Sequence, residues 1–259
     1  MMIRSCLHNK LILIDLDGTM YRGNDVIPSA LIFIKYLQKE RIPFLFVTNN
    51  ATRTHAQNRV KMESLGFHDI KDSQFFTSAM AAASYMKNHC QLHNVFYIGE
   101  DGLQEALLEQ GLQITNTDAE AVVVGLDKEL TYDKLCKAYL HLQEGALLIG
   151  TNQDRRIPHG NHYLVGNGGI VSLLEYCSEK PAVFAGKPTS IMMDEILRYA
   201  KVSADDVVMM GDNLETDIAF GLNNHVQTIF VTSGVHTKED CQRFHVQPDL
   251  IIEDLLELV

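Results

Sequence analysis

The chain has 259 residues, of which 46% are hydrophobic and 21% charged, with a formal net charge of −11 at pH 7. This length and apolar share fit a globular protein with one large or two modest domains, and the negative charge argues against nucleic acid and anionic membranes as partners. The sequence lacks the pattern of a signal peptide and an apolar run long enough to span a membrane, which predicts a cytoplasmic protein. The cysteines lack metal-ligand spacing, and we expect them to be reduced thiols. The cysteines are Cys6, Cys90, Cys136, Cys177 and Cys241.

The first predicted element is an apolar strand at 11–14 that runs directly into the motif DLDGT at 15–19. Side chains two apart on an extended backbone point to the same face, so Asp15 and Asp17 converge. Two carboxylates that close repel each other unless a cation or a proton lies between them. The motif therefore indicates a hard metal ion, a division of acid and base roles, or both. The alternative is an Asp-rich turn that only closes the strand.

Three further apolar runs, at 43–47, 182–185 and 207–210, also end in polar residues. They are followed by TNN at 48–50, GKP at 186–188 and GDNLETD at 211–217. Short apolar runs without alternation predict strands that are covered on both faces, hence a parallel sheet flanked by helices. Ligands of open parallel sheets bind at the carboxyl ends of the strands. We therefore expect all four motifs to meet at one site for a phosphate and a divalent cation.

The spacing of the motifs predicts two domains. Well over a hundred residues separate Thr48 from Lys187, whereas one crossover between parallel strands needs only about a dozen. We expect an α/β protein with a doubly wound parallel sheet, formed by 1–81 and 182–259, and a second, smaller α/β cap inserted at 82–181. Helices are predicted at 28–40, 54–66, 74–89, 102–110, 132–142, 169–177 and 188–200, and cap strands at 95–98, 121–125 and 146–149.

In this order and spacing, the four motifs resemble those of the haloacid dehalogenase-like (HAD) phosphatase superfamily. The likeness extends over essentially the whole chain and is closest to the NagD-like branch, subfamily IIA, which carries a C2-type cap between the second and third motifs. It implies a Rossmann-like core and a phosphatase that depends on Mg²⁺.

The resemblance also implies roles for the motif residues. Asp15 is the expected nucleophile, which forms an aspartyl-phosphate, and Asp17 the expected general acid and then base; alternatively, Asp17 only caps the turn. Lys187 is expected to stabilise charge on the transferring phosphoryl group. The expected Mg²⁺ ligands and their neighbours are Asp15, the backbone carbonyl of Asp17, Asp212 and Asp217, with Asn213 nearby. Asp217 is expected to hold a metal-bound water or to orient Lys187, unless it only complements a helix dipole.

Thr48, Asn49 and Asn50 are expected to bind the phosphate oxygens, although Thr48 alone could simply cap its strand. In the cap, relatives commonly have TNPD where this chain has TNQD at 151–154, followed by basic residues. We expect some of these residues to contact an anionic or polyhydroxy substrate; the alternative is a solvated polar loop. The candidates are Asn152, Asp154, Arg155, Arg156, His159 and His162.

The expected function is Mg²⁺-dependent hydrolysis of small phosphorylated metabolites, with sugar or acid-sugar phosphates favoured. Nucleoside monophosphates, phosphoglycolate and phosphotransfer to a second alcohol are the alternatives within enzymes. A non-catalytic phosphometabolite sensor or a response-regulator receiver is the alternative outside them, although a receiver predicts about half this length and no cap. We expect a monomer or a homodimer.

Overall fold

The computed structural model describes residue 7, residues 9–159 and residues 162–259 of the chain. Cys6 lies outside the described residues, as does the side chain of His159. The strands are β1 (Leu11–Ile14), β2 (Tyr21–Arg22), β3 (Asp25–Val26), β4 (Phe44–Thr48), β5 (Phe75–Thr77), β6 (Asn94–Ile98), β7 (Gln113–Ile114), β8 (Ala121–Val124), β9 (Leu147–Gly150), β10 (Arg156–His159), β11 (His162–Val165), β12 (Val183–Phe184), β13 (Val207–Gly211), β14 (Gln227–Val231) and β15 (Leu250–Ile252).

The helices alternate with these strands through most of the chain. They are α1 (Pro28–Glu40), α2 (His55–Ser64), α3 (Ser78–Asn88), α4 (Asp101–Glu109), α5 (Tyr132–Gln143), α6 (Asn167–Ser178), α7 (Ser190–Ala200), α8 (Ala219–Asn223) and α9 (Asp240–Phe244). In the described part of the chain, none of them combines the length and the apolar character that crossing a membrane requires.

The chain divides into two compact units. The first contains the residues up to Thr48, His55–Phe76 and Lys187–Val259; the second contains Asn49–Thr54 and Thr77–Gly186. The predicted cap at 82–181 lies within the second unit, which continues beyond it at both ends. The first unit therefore draws on segments far apart in the sequence.

The sheet of the first unit has the order β15-β14-β13-β1-β4-β5 among the described residues. β1 is at its centre and pairs in parallel with β13, with Ile14 opposite Met210, and with β4. All four residues of β1 are buried, as the run of Leu and Ile predicts for a strand with helices on both faces. Side chains of the strands and of α1 form the core of this unit, with Phe33 and Phe46 fully buried. The doubly wound α/β prediction is confirmed.

The second unit has its own parallel sheet, ordered β12-β9-β8-β6-β7. The three cap strands that the sequence predicts are β6, β8 and β9, and every residue of β8 is buried. The helices α5 and α6 pack on this sheet, and Leu142 and Leu174 are among the residues of its core. Between β9 and α6, an antiparallel pair, β10 and β11, lies outside the sheet.

Two predicted elements differ from the structure, one in the sheet it joins and one in its first residue. The run at 182–185 forms β12, which pairs with β9 of the second unit, Val183 opposite Ile149, and not with the strands that carry the other motifs. The helix predicted at 74–89 begins only at Ser78, because Phe75–Thr77 forms the edge strand β5. Aromatic and β-branched side chains favour a strand there, and the Thr77 hydroxyl accepts a hydrogen bond from the Met80 N–H to start the helix.

Candidate active site

Three carboxylates and one ammonium group meet where the central strands of the first unit end. Asp15 follows β1, Asp212 follows β13, and Asp217 lies in a short helical turn, Leu214–Ile218. Each of these Asp residues offers a carboxylate oxygen, and the three oxygens lie within 4.8 Å of one another. Because β1 and β13 are parallel neighbours, Asp15 and Asp212 follow strand ends that lie side by side at the same edge of the sheet.

Lys187 is enclosed by this group. Its side chain is 2% exposed, and its Nζ lies 2.6 Å from Asp15 Oδ1 and 2.7 Å from Asp217 Oδ1. The same ammonium group donates to the carbonyl oxygen of Val47 in β4, at 3.0 Å. The three N–H bonds of the ammonium group are thus all directed to oxygen acceptors. Although its segment follows a strand of the other sheet, Lys187 reaches the site that the sequence predicts.

Asp212 is held by hydrogen bonds from two directions. Its Oδ1 accepts from the Thr19 hydroxyl at 3.1 Å, and its Oδ2 accepts from the backbone N–H of Val235 at 2.6 Å. Glycine is required beside it, because a Cβ on Gly234 would lie 1.8 Å from Asp212 Oδ2 and one on Gly18 2.3 Å from the same atom. Gly18 also has φ of +99°, which side chains rarely adopt.

Burial and mutual repulsion disfavour the charged forms of these carboxylates. Burial, followed by the charge of Asp217, raises the pKa of Asp15 well above its usual value, against an opposing effect of Lys187. Burial and Asp217 likewise raise the pKa of Asp212 to about 7, although the Val235 N–H and Thr19 hydroxyl oppose the rise. Burial alone would lower the pKa of Lys187, but Asp15 and Asp217 raise it above its ordinary value, so the ammonium stays charged.

The charge balance of the cluster indicates a place for a divalent cation. Three carboxylates face one ammonium group, so two negative charges are uncompensated when all three are ionised. Oxygen ligands of this kind suit Mg²⁺, which binds through one or two carboxylates and keeps waters or phosphate oxygens in its other positions. Asp15 and Asp212 fit that role better than Asp217, whose Oδ1 accepts from Lys187 and whose Oδ2 accepts from the Asn213 N–H at 3.0 Å.

Asp17 lies in the turn after β1 but does not belong to the three converging carboxylates. It is exposed, and its Oδ2 accepts a hydrogen bond of 3.4 Å from the hydroxyl of Tyr21. The N–H of Gly18 donates to the Tyr21 carbonyl at 2.7 Å, which closes the turn. An exposed carboxyl group next to the cluster is free to exchange protons with water.

The TNN motif is divided between the two units. Thr48 is the last residue of β4, 4% exposed, and belongs to the first unit with Asp15. Asn49 belongs to the second unit, where its side-chain amide donates to Asp154 at 3.3 Å. The Oδ1 of Asn50 accepts from the N–H and the hydroxyl of Thr52, at 2.9 and 2.7 Å, and so forms a turn.

The predicted substrate residues of the cap lie in the second unit. Asn152 is buried, and its amide donates to the carbonyl of Asn49 at 2.8 Å. Arg155 is exposed and lines a cavity of about 330 Å³. The Arg156 guanidinium lies over the ring of Tyr163, 4.2 Å from its centroid, and His162 is exposed.

The groups that hold Asp212 are not among the residues that the sequence predicts for the site. They are the Thr19 hydroxyl and the Val235 N–H, and the latter lies with Gly234 in the segment after β14. One signal was available, because the apolar run of β14 ends in TSG at 232–234 and pairs with β13, Met210 opposite Ile229. Asn213, expected near the metal, uses its Oδ1 to accept from the N–H groups of Glu215 and Thr216.

Comparison with known proteins identifies relatives along nearly the full chain. A profile described as haloacid dehalogenase-like hydrolase matches residues 12–113, and one described as HAD-hydrolase-like matches residues 184–258. The acid sugar phosphatase of Staphylococcus saprophyticus is 40% identical over 251 residues, and that of Staphylococcus aureus is 41% identical; each match covers 96% of both chains.

Solved structures with the same fold include three close matches. A thermostable NPPase from Geobacillus stearothermophilus is 40% identical, with a TM-score of 0.89, over 97% of this chain and 98% of the other. A 4-nitrophenylphosphatase from Thermotoga maritima is 30% identical, with a TM-score of 0.90, over 96% and 95%. A hypothetical protein from Pyrococcus horikoshii is 34% identical, with a TM-score of 0.91, over 96% and 98%.

Proposed function

Because the chain belongs to the haloacid dehalogenase-like hydrolases, in their NagD-like phosphatase branch, we propose that it hydrolyses acid sugar phosphates with Mg²⁺ and a covalent phosphoenzyme on Asp15. One observation carries the proposal: the carboxylate of Asp15 lies 2.6 Å from a buried lysine and within 4.8 Å of the carboxylate oxygens of Asp212 and Asp217. This arrangement can hold a phosphoryl group beside a nucleophile and a divalent cation.

Asp15 attacks phosphorus with its carboxylate oxygen, and the bond from phosphorus to the sugar oxygen breaks. Lys187 favours the ionised, nucleophilic form of Asp15 and offsets charge on the phosphoryl oxygens. Asp15, Asp212 and the backbone carbonyl of Asp17 would hold Mg²⁺, which would supply further positive charge there. Thr48, at the end of the neighbouring strand, donates a hydrogen bond to a phosphoryl oxygen.

Asp17 completes the reaction as acid and then base. Its proton passes to the departing sugar oxygen, which leaves poorly as an alkoxide. The carboxylate that results takes a proton from water, and this water attacks the phosphorus of the aspartyl-phosphate. Inorganic phosphate leaves, and Asp15 is regenerated. The exposure of Asp17 supports this role, because the water that attacks the aspartyl-phosphate can reach its carboxyl group.

The substrate class rests on two observations. Relatives named acid sugar phosphatase match this chain along 96% of its length. The second unit also contains the cavity beside Arg155, and Gln153, Ser172 and Glu175 are among its other lining residues. The carboxylate of Glu175 accepts a hydrogen bond from the Ala182 N–H. A guanidinium group suits the carboxylate of an acid sugar, and amide and hydroxyl groups suit its other oxygens.

We further propose that the enzyme is cytoplasmic.

The central test is turnover of p-nitrophenyl phosphate and of an acidic sugar phosphate with Mg²⁺. We expect EDTA to abolish both activities and Asp15→Asn to lower kcat by about a thousandfold or more, because the amide is a poor nucleophile. Asp25→Asn, at an exposed position in β3, is the matched control and should keep full activity. An Asp15→Asn enzyme with normal turnover would refute the phosphoenzyme.

Substrate choice is tested separately with Arg155→Ala. The expected result is a KM for the acidic sugar phosphate raised about tenfold or more, since a charge-assisted hydrogen bond is lost, with little change for p-nitrophenyl phosphate. Arg156→Ala, whose guanidinium is stacked on Tyr163, should have a smaller effect on the KM. Equal effects of Arg155→Ala on both substrates would exclude recognition of the acid group by this residue.

A further inference from the structure

The chain crosses between the two compact units directly beside two residues of the proposed active site. It passes from the first unit to the second after Thr48 and after Phe76, and it returns to the first unit at His55 and at Lys187. Asn49 follows the first of these four crossings, and Gly186 precedes the last. Adjacent Cα atoms are only about 3.8 Å apart, so whatever fixes Asn49 and Gly186 also restricts Thr48 and Lys187.

Loop 151–154, which follows β9 in the second unit, forms hydrogen bonds with both the backbone carbonyl and the side-chain amide of Asn49. The Asn152 amide donates to the Asn49 carbonyl at 2.8 Å. In return, the Asn49 amide donates to the two carboxylate oxygens of Asp154, each at 3.3 Å. The Asn152 Oδ1 accepts from the Asp154 N–H at 3.1 Å, which fixes the two loop residues relative to each other. The Asn152 side chain thus has both its donor and its acceptor engaged within the protein.

The same loop packs against Gly186, the last residue before the chain returns to the first unit at Lys187. A Cβ on Gly186 would lie 2.5 Å from the carbonyl oxygen of Thr151 and 2.6 Å from the side-chain oxygen of Asn49. Thr151 is fully buried. Glycine therefore permits Gly186 and Asn49 to approach the same loop closely, and displacement of that loop would disturb both residues.

Loop 151–154 is itself anchored to the start of α6. The side-chain amide of the buried Asn167 donates to the Asn152 carbonyl at 3.0 Å and to the Thr151 hydroxyl at 3.3 Å. It also reaches the carbonyl of Val124 at the end of β8, at 3.0 Å. The loop is thus connected to the sheet of its own unit and is suited to act as a fixed support for Asn49.

We propose that Asn152 and Asp154, which the sequence analysis placed among the substrate-binding residues, are positioning residues that act through Asn49: on Thr48 directly, and on Lys187 through Gly186, which packs against the Asn49 side chain. This inference rests on the proposed phosphatase reaction. A residue that sets the positions of Lys187 and of Thr48, which donates a hydrogen bond to the phosphoryl group, affects every phosphate ester alike. A residue that contacts the sugar affects one substrate more than another.

The test compares variants of Asp154 and Asn152, with kcat and KM measured for both p-nitrophenyl phosphate and an acidic sugar phosphate. We expect Asp154→Ala to lower kcat by about tenfold to a hundredfold for both substrates, as small displacements near a reacting group do, with KM changed by less than about twofold. Asp154→Asn keeps one acceptor oxygen for Asn49 and should restore most of the rate. Asn152→Asp places an oxygen against the Asn49 carbonyl and should be as slow as Asp154→Ala.

A double-mutant cycle separates positioning from a general loss of stability. If Asp154 acts through Asn49, then Asn49→Ala combined with Asp154→Ala should be no slower than Asn49→Ala alone, whereas independent effects multiply. Asp133→Asn, at an exposed position of α5, is the matched control and should be unchanged. Thermal unfolding of each variant confirms that it is folded.

The outcomes distinguish this inference from the proposed function. Inactivity of the unmodified enzyme toward both esters would overturn the proposed function and this inference together. With an active enzyme, additive losses in the double mutant, or an Asp154→Ala defect confined to the KM of the sugar phosphate, would overturn this inference alone.

Discussion

Among single residues, Lys187 shows most clearly how the surroundings set a property that residue type does not. Burial by itself favours the neutral amine, but Asp15 and Asp217 at 2.6 and 2.7 Å reverse the effect and raise its pKa. Buried ion pairs contribute little net stability, because desolvation offsets most of the attraction. A charged lysine kept in an enclosed acidic site therefore fits the role in phosphoryl transfer that the proposed function assigns to it better than a role in folding stability.

The raised pKa values of Asp15 and Asp212 predict how pH affects stability without a divalent cation. Burial is the leading cause of both shifts, and Asp212 titrates at about 7 in the folded state against an ordinary value of 3.8. Between these values the folded protein binds more protons than the unfolded chain, so the free energy of unfolding should decrease as pH rises from about 4 to about 7.

Mg²⁺ should reverse that loss, because it replaces the proton on Asp212. We expect the increase in Tm caused by Mg²⁺ to be small at pH 5 and to grow up to about pH 8. Differential scanning fluorimetry with Mg²⁺ or EDTA at several pH values measures it. Asp212→Asn should remove most of the dependence, and an Mg²⁺ shift that is equal at pH 5 and pH 8 would contradict the assignment.

At the scale of elements, the apolar runs of β1, β4 and β13 were predictable because these strands are buried along their whole length. β5 was not predictable in the same way, since three strand residues lead directly into an Ala-rich helix and share its apolar character. β12 was recognised as a strand but assigned to the wrong sheet. Its own two residues carry no information about which strand they pair with, because that partner, β9, is more than thirty residues away along the chain.

The segment after β14 gives a prediction about an element that sequence reasoning overlooked. Gly234→Ala would place a methyl group against Asp212 Oδ2, closer than a carbon and an oxygen atom can approach without a bond between them. We expect the carboxylate to move and the Mg²⁺ concentration for half-maximal activity to rise about tenfold or more, as found when groups that orient metal ligands are altered. A Mg²⁺ titration of activity measures this effect.

Val235→Ala is the matched control for that titration. It keeps the backbone N–H that donates to Asp212, and its exposed side chain makes the substitution mild. Its Mg²⁺ dependence should match that of the unmodified enzyme. A Gly234→Ala enzyme with unchanged Mg²⁺ dependence would show that the segment after β14 does not position Asp212.

At the scale of the whole molecule, the net charge of −11 opposes the binding of the anionic substrate that the proposed function requires. The overall field repels a phosphate ester, and the cluster of three carboxylates adds to that repulsion. Binding of an anionic substrate therefore depends on local positive charge, supplied at the cluster by Lys187 and the proposed Mg²⁺. In the second unit, Arg155 is the positive charge that the proposed function pairs with the acid group of the substrate.

The sequence by itself determined the α/β class, and it pointed to Asp15, Lys187, Asp212 and Asp217, whose side chains the structure brings together; the insertion between the second and third motifs stays a prediction. These features follow from local patterns, because an apolar run and the polar residues at its end are read from a few neighbouring positions. Only the tertiary structure decided that β12 joins the second sheet, that the Val235 N–H holds Asp212, and that Asn152 and Asp154 hold Asn49. Those contacts join residues that are far apart along the chain, and packing of the folded units, which no short stretch of sequence encodes, brings them together.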